Sequence, residues 1–178
     1  MSPSVSRPRS LDLARGLDNL GDLWRSEDRL AEAEPLYRRA LDIREKSLGP
    51  DHADVANSLN RLALLYRSEG DYARAEPLYD RAIAIWEKAF GPRHPDLASG
   101  LNNLALLYYA QGRYAEAEPL YRRAIEIQEG VLGADHPDLA KTLDNYGSLL
   151  RKQGRFAQAR ALEKRALEIR TRHAWQLP

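Results

Sequence analysis

The chain has 178 residues, of which 43% are hydrophobic and 30% charged, with a formal net charge of +1 and no cysteine. A collagen-like, disulfide-stapled or membrane-spanning chain is excluded, and so is any thiolate nucleophile or cysteine-based zinc or iron-sulfur site, so stability must come from apolar burial. With no run near the roughly 18 to 20 apolar residues of a transmembrane helix and no signal-peptide core at the start, the expectation is a soluble, cytoplasmic protein.

Residues 1–12 read as a disordered leader: the first ten hold two prolines and show no apolar periodicity. From residue 13 the chain repeats itself every 42 positions. Leu59-Asn60-Arg61-Leu62-Ala63-Leu64-Leu65-Tyr66 returns from Leu101 and, more divergent, from Leu143, with an earlier copy starting at Leu17. Ala33-Glu34-Pro35-Leu36-Tyr37 returns from Ala75 and Ala117 and becomes Ala159-Arg160-Ala161-Leu162-Glu163 in the last copy. Four repeats follow, at 13–54, 55–96, 97–138 and 139–172.

Each repeat reads as two helices. Leu101, Leu104, Ala105 and Tyr108 are spaced as one stripe of a first helix, A, and Ala117, Leu120, Tyr121, Ala124 and Ile125 as one stripe of a second, B. Between them Gly70, Gly112 and Gly154 stand where the chain reverses and needs positive φ, with Asp28 as a tolerable substitute in repeat 1. Pro35, Pro77 and Pro119 are expected in the first turn of helix B, where an N–H is dispensable. Asp54, Asp96 and Asp138 are expected to cap the next helix A, with Pro95 and Pro137 setting its entry. Small residues at 21, 63, 105 and 147 suit close helix contact. Repeat 4 carries Glu163 where the others have tyrosine, as a terminal cap would, and residues 173–178 form a tail bearing Trp175.

Leu101, Leu104-Ala105 and Tyr108, followed by Ala117, Tyr121 and Ala124, resemble the tetratricopeptide repeat. The 42-residue period and the segments Phe90-Gly91-Pro92-Arg93-His94-Pro95-Asp96 and Leu132-Gly133-Ala134-Asp135-His136-Pro137-Asp138 resemble its kinesin light chain type, abundant in bacterial proteins. The resemblance implies an all-α, right-handed superhelical solenoid of stacked antiparallel hairpins and a non-enzymatic scaffold for protein partners. A motor-adaptor role is not expected, because residues 1–12 are too short for a heptad segment. The carboxylate clamp of chaperone-tail binders is not expected either, because Asp18 sits beside Asn19.

His52, His94 and His136 recur at matched positions, yet equivalent positions in stacked repeats lie at least a helix width apart, roughly 8 to 10 Å, too far for a shared zinc ion. They read as loop residues. No phosphate-cradling glycine loop, His-Glu-x-x-His or nucleophile elbow occurs, so no catalytic residue, metal or cofactor is expected. Interleaved acids leave no long basic stripe, which argues against nucleic acid.

The inner face of the solenoid remains. Helix A residues outside the packing stripe carry seven cations (Arg15, Arg25, Arg61, Arg67, Lys141, Arg151, Lys152) and three anions (Asp18, Asp22, Asp144), a local +4 in a chain of +1. That favours an extended acidic or polar peptide as partner. Asn19, Asn103 and Asn145 share one position, filled by Arg61 in repeat 2. Similar amide ladders in tetratricopeptide proteins contact peptide main chain, which implies that role here, with Asn60, Asn102, Arg67, Tyr109 and Arg151 as neighbours. Alternatives are a module that self-associates through its end helices, since Leu17, Trp24 and Leu30 give repeat 1 no evident polar cap, or an accessory domain of a separate enzyme.

Overall fold

The computed structural model describes residues 7–174, with side chains from 9 to 172. The described residues form eight α-helices and no strand. The pairs are α1 (Arg7–Ser26) with α2 (Leu30–Leu48), α3 (Ala53–Ser68) with α4 (Tyr72–Phe90), α5 (Pro95–Ala110) with α6 (Tyr114–Leu132), and α7 (Pro137–Lys152) with α8 (Phe156–Ala174). The first helix of each pair is helix A of a repeat and the second is helix B. The chain divides into two compact units, residues 1–89 and 90–178, each holding two hairpins.

α1 begins at Arg7, inside the segment read from the sequence as a leader. Pro8 falls in its first turn, where a missing N–H costs little. The added residues bring Ser10 within 3.2 Å of Ser47 on α2. Residues 1–6 and 175–178, the latter including Trp175, lie outside the described residues.

The reversals inside the hairpins follow the expectation. Gly70, Gly112 and Gly154 have φ of 77°, 74° and 75°, and Asp28 has 60°. In every copy the next N–H returns to the last turn of helix A: Arg29 to the Trp24 carbonyl at 2.8 Å, Asp71 to Tyr66 at 2.8 Å, Arg113 to Tyr108 at 2.8 Å, and Arg155 to Leu150 at 2.9 Å. This six-residue closure satisfies a carbonyl that the helix end would otherwise leave open.

Two local expectations are corrected. Pro35, Pro77 and Pro119 are each the sixth residue of their helix, not part of its first turn. The carbonyls they fail to serve belong to Ala31, Ala73 and Ala115, all exposed, so water can replace the missing bond. The caps of α3, α5 and α7 are His52, His94 and His136, not the aspartates. Each imidazole Nδ1 accepts the backbone N–H two residues on, from Asp54 at 3.1 Å, Asp96 at 3.2 Å and Asp138 at 3.2 Å. The aspartates occupy the first turn, where their charge complements the helix dipole.

Packing within a hairpin is organised by one tyrosine of helix B set against one small residue of helix A. Tyr37, Tyr79 and Tyr121 are fully buried, as are Ala63 and Ala105 in repeats 2 and 3. In repeat 1 a Cβ on Gly21 would lie 2.7 Å from the Tyr37 ring, and in repeat 4 one on Gly147 would lie 3.2 Å from the Glu163 side chain.

Within each unit the next hairpin packs on the preceding helix B. In the first, Tyr66 of α3 donates to Glu34 Oε1 of α2 at 2.8 Å, and Arg38 donates to both groups at 2.8 Å. In the second, Tyr146 of α7 donates to Glu118 of α6 at 2.8 Å, with Arg122 at 2.7 Å and Arg155 at 2.7 Å on the same carboxylate. Burial alone would raise the Glu118 pKa, but hydrogen bonds from Arg155, Tyr146 and Arg122 outweigh it and bring the pKa down from 4.5 to about 2.

Two tests follow from these contacts. His136→Ala should lower stability by about 1 kcal/mol in urea denaturation, while His136→Asn, which keeps a capping acceptor, should retain most of it. Because the folded-state pKa of Glu118 is depressed, its stabilisation is present above the ordinary glutamate range and is lost as pH falls from about 4.5 toward about 2. Glu118→Gln should therefore lower the urea midpoint at neutral pH, by about 1 kcal/mol, and flatten the acid limb of the stability profile.

Candidate functional site

In the first unit the helix A residues facing away from the packing stripe meet in a polar cleft of about 330 Å³. α1 supplies Asp18, Asn19, Asp22 and Arg25, and α3 supplies Asn57, Asn60 and Arg61. Arg61 is half-buried and pairs with Asp22 through Nη1 and with Asp18 through Nε at 3.8 Å. Asp22 also accepts from the Tyr37 hydroxyl at 2.7 Å. That acceptor and burial together push the Tyr37 pKa to about 12, burial being the larger cause.

A further charge comes from helix B. Arg44 of α2 is buried, ion-paired with Asp18 at 2.6 Å and hydrogen-bonded to Ser58 of α3. Asp18 is 3% exposed, and burial raises its pKa against the pull of Arg44 and Arg61. A count of helix A residues alone misses Arg44, which reaches Asp18 from helix B.

The repeat itself carried the missing signal. Positions 18, 60, 102 and 144 read Asp, Asn, Asn, Asp, while positions 44, 86, 128 and 170 read Arg, Trp, Gln, Arg. A carboxylate on helix A goes with an arginine on helix B of the same repeat, and an amide goes with an uncharged residue. Arg170 pairs with Asp144 as Arg44 pairs with Asp18. An ion removed from water needs its counter-ion built in.

In the second unit Asn145 of α7 donates its amide to Asn102 of α5 at 3.0 Å. Asn102 is buried, Asn103 and Asn145 half-buried. Tyr109 is half-buried against Tyr114, with ring centroids 5.6 Å apart. Arg151 clamps Glu163 of α8 with two bonds, at 2.5 and 2.6 Å.

The candidate residues therefore fall into groups. Asn19, Asn60 and Arg61 share the first unit's cleft, and Asn102 and Asn145 touch in the second. The three anions counted on the face, Asp18, Asp22 and Asp144, are all ion-paired, and Arg61 and Arg151 are held by Asp22 and Glu163. Arg15 and Arg25 of α1 also line the cleft. Burial raises the pKa of the Tyr79 hydroxyl, and the charges of Arg67 and Arg25 both pull it down. Among the described residues no group of three or more His, Cys, Asp or Glu is placed to hold a metal ion, and no helix is long and apolar enough to cross a membrane.

A tetratricopeptide repeat family model matches residues 12–85, 54–130 and 97–172. Among solved structures, the chain is similar to BtubC (BKLC) from P. vanneervenii, at 27% identity and a TM-score of 0.83 over 99% of this chain and 69% of that one. It also resembles the nearly identical TPR-like repeats assigned to a kinesin light chain of Podosopora anserina, at 23% identity and a TM-score of 0.70 over 90% of this chain and 76% of that one. That second likeness bears on the fold alone. No curated protein matches the chain.

The built-in pairing of the cleft can be tested by moving repeat 1 toward repeat 3. Arg44→Gln alone strands a buried carboxylate and should cost about 3 kcal/mol. Adding Asp18→Asn recreates the Asn102/Gln128 combination, and most of the loss should return. A double-mutant cycle by urea denaturation reads both outcomes.

Proposed function

Because the chain belongs to the tetratricopeptide repeat family, whose repeats generally serve as protein-protein interaction modules, we propose that its helix A faces bind an extended segment of a partner protein, as a scaffold with no catalytic role. The observation that carries this reading is the polar cleft on α1 and α3, where amides and guanidinium groups from successive repeats line one surface. Asn19 and Asn60, both in the cleft, have the donor and acceptor needed to meet peptide main chain. Asn103 and Asn145 offer the same chemistry in the second unit. Ion pairing shifts the expected anion readers away from Arg61 and Arg151, the first held by Asp22 and the second by Glu163. The reading side chains in the first unit are Arg25 and Arg67, and the preferred ligand is an acidic peptide.

A fluorescence-anisotropy titration of labelled peptides tests this. Acidic sequences should bind more tightly than neutral ones of equal length, and added salt should weaken them. Arg25→Glu with Arg67→Glu should reduce affinity by roughly tenfold or more. Lys46→Glu, an exposed charge reversal on helix B, should leave it unchanged. Equal losses from Lys46→Glu would count against a helix A site.

A further inference from the structure

Asp22 and Arg61 are the charged exceptions in two ladders of equivalent positions. Positions 22, 64, 106 and 148 read Asp, Leu, Leu, Ser, and positions 19, 61, 103 and 145 read Asn, Arg, Asn, Asn. The two exceptions meet across α1 and α3, where Arg61 Nη1 donates to Asp22 Oδ2. Both line the polar cleft and both side chains are 35% exposed, so the pair lies at the surface a ligand meets and not in the packing stripe. Packing does not call for it, because the second unit has Leu106 and Asn145 in the same two places. Nor does Tyr37, which donates to Asp22 Oδ1 at 2.7 Å. The equivalent Tyr79 is buried with no hydrogen-bond partner for its hydroxyl among the described residues.

What the pair does is occupy a guanidinium group. Arginine presents a planar fork of donors that matches a carboxylate, and Asp22 offers it one from within the chain. Asp18, the other acid near Arg61, is 3.8 Å from its Nε, buried, and already paired with Arg44 at 2.6 Å. The exposed edge of Arg61 therefore belongs to Asp22, which the Tyr37 hydroxyl holds in place. An acidic side chain arriving at Arg61 must displace that carboxylate, exchanging one ion pair for another, and meets a like charge on the way. We infer that Asp22 is a specificity-determining residue of the cleft, an internal anion that masks Arg61 and lowers the affinity for acidic segments. The inference rests on the peptide-binding reading of the cleft proposed above.

Anisotropy titration of one labelled acidic peptide against a set of variants tests the masking. Asp22→Asn removes the charge but keeps an acceptor for Tyr37, and it should tighten binding by roughly threefold or more. Asp22→Leu, which copies repeats 2 and 3, should give the same gain, and circular dichroism should show both variants retaining their helix content. Adding Arg61→Gln to Asp22→Asn should return the affinity to about that of the wild type. Adding Arg61→Lys instead, which keeps the charge and loses the fork, should retain less than the full gain. Asp42→Asn, which removes an exposed charge from α2, should leave binding unchanged. Wild-type binding that both Asp22 variants leave unchanged or weaken, or a gain kept in full with either Arg61 substitution, would overturn the inference and leave the peptide reading standing. No binding by the wild type or by either Asp22 variant would overturn both.

Discussion

The contact on which the first three hairpins depend is a tyrosine ring of helix B set against a residue of helix A small enough to let the two backbones close. Tyr37 is fully buried over Gly21, where even a methyl group would intrude on the ring. Repeats 2 and 3 put alanine at that place, and repeat 4 uses Gly147 against Glu163. A bulkier side chain there would part the helices and uncover the stripes that make the core. The turn glycines serve the same end, since a left-handed residue after helix A lets helix B fold back at once.

Charge is arranged around this packing by balance within the repeat. Where helix A buries a carboxylate, at Asp18, helix B of the same repeat supplies Arg44, and the exposed counterpart Asp144 meets Arg170. Where helix A has Asn60 or Asn102, helix B has Trp86 or Gln128. The seam between hairpins follows the same logic, with Glu34 and Glu118 each receiving a tyrosine hydroxyl and arginine donors. Much of the apparent charge of the helix A face is consequently spent inside the protein. A net charge counted along the sequence therefore does not show which guanidinium groups are already held, as Arg61 and Arg151 are.

The outer helices α1 and α8 differ in character. On α8, Glu163 replaces the tyrosine that earlier repeats bury, and its bidentate pair with Arg151 suits that end to water. On α1, leucines occupy the positions that internal repeats keep dry. Within each unit the second hairpin buries its equivalent stripe against the preceding helix B.

The period of 42, the alternation of helices A and B, the reversals at Gly70, Gly112 and Gly154, and the meeting of Asn19 with Arg61 on one surface were legible in the residues. Each is set by local spacing or by the φ that a residue tolerates, and four copies reinforce the signal. Finer placements were not legible. Helix entry at Arg7, the prolines in the second turn and capping by His52, His94 and His136 depend on where apolar contacts let a helix extend and which acceptor reaches the free N–H. The partners of the candidate residues lay further still from the sequence: Arg44 reaches Asp18 from another helix, and Asn145 meets Asn102 from 43 positions away. Periodicity says which way a side chain points along its own helix. Only the packing of one helix on another determines which charges meet, because a pair forms by distance in space, whatever the separation along the chain.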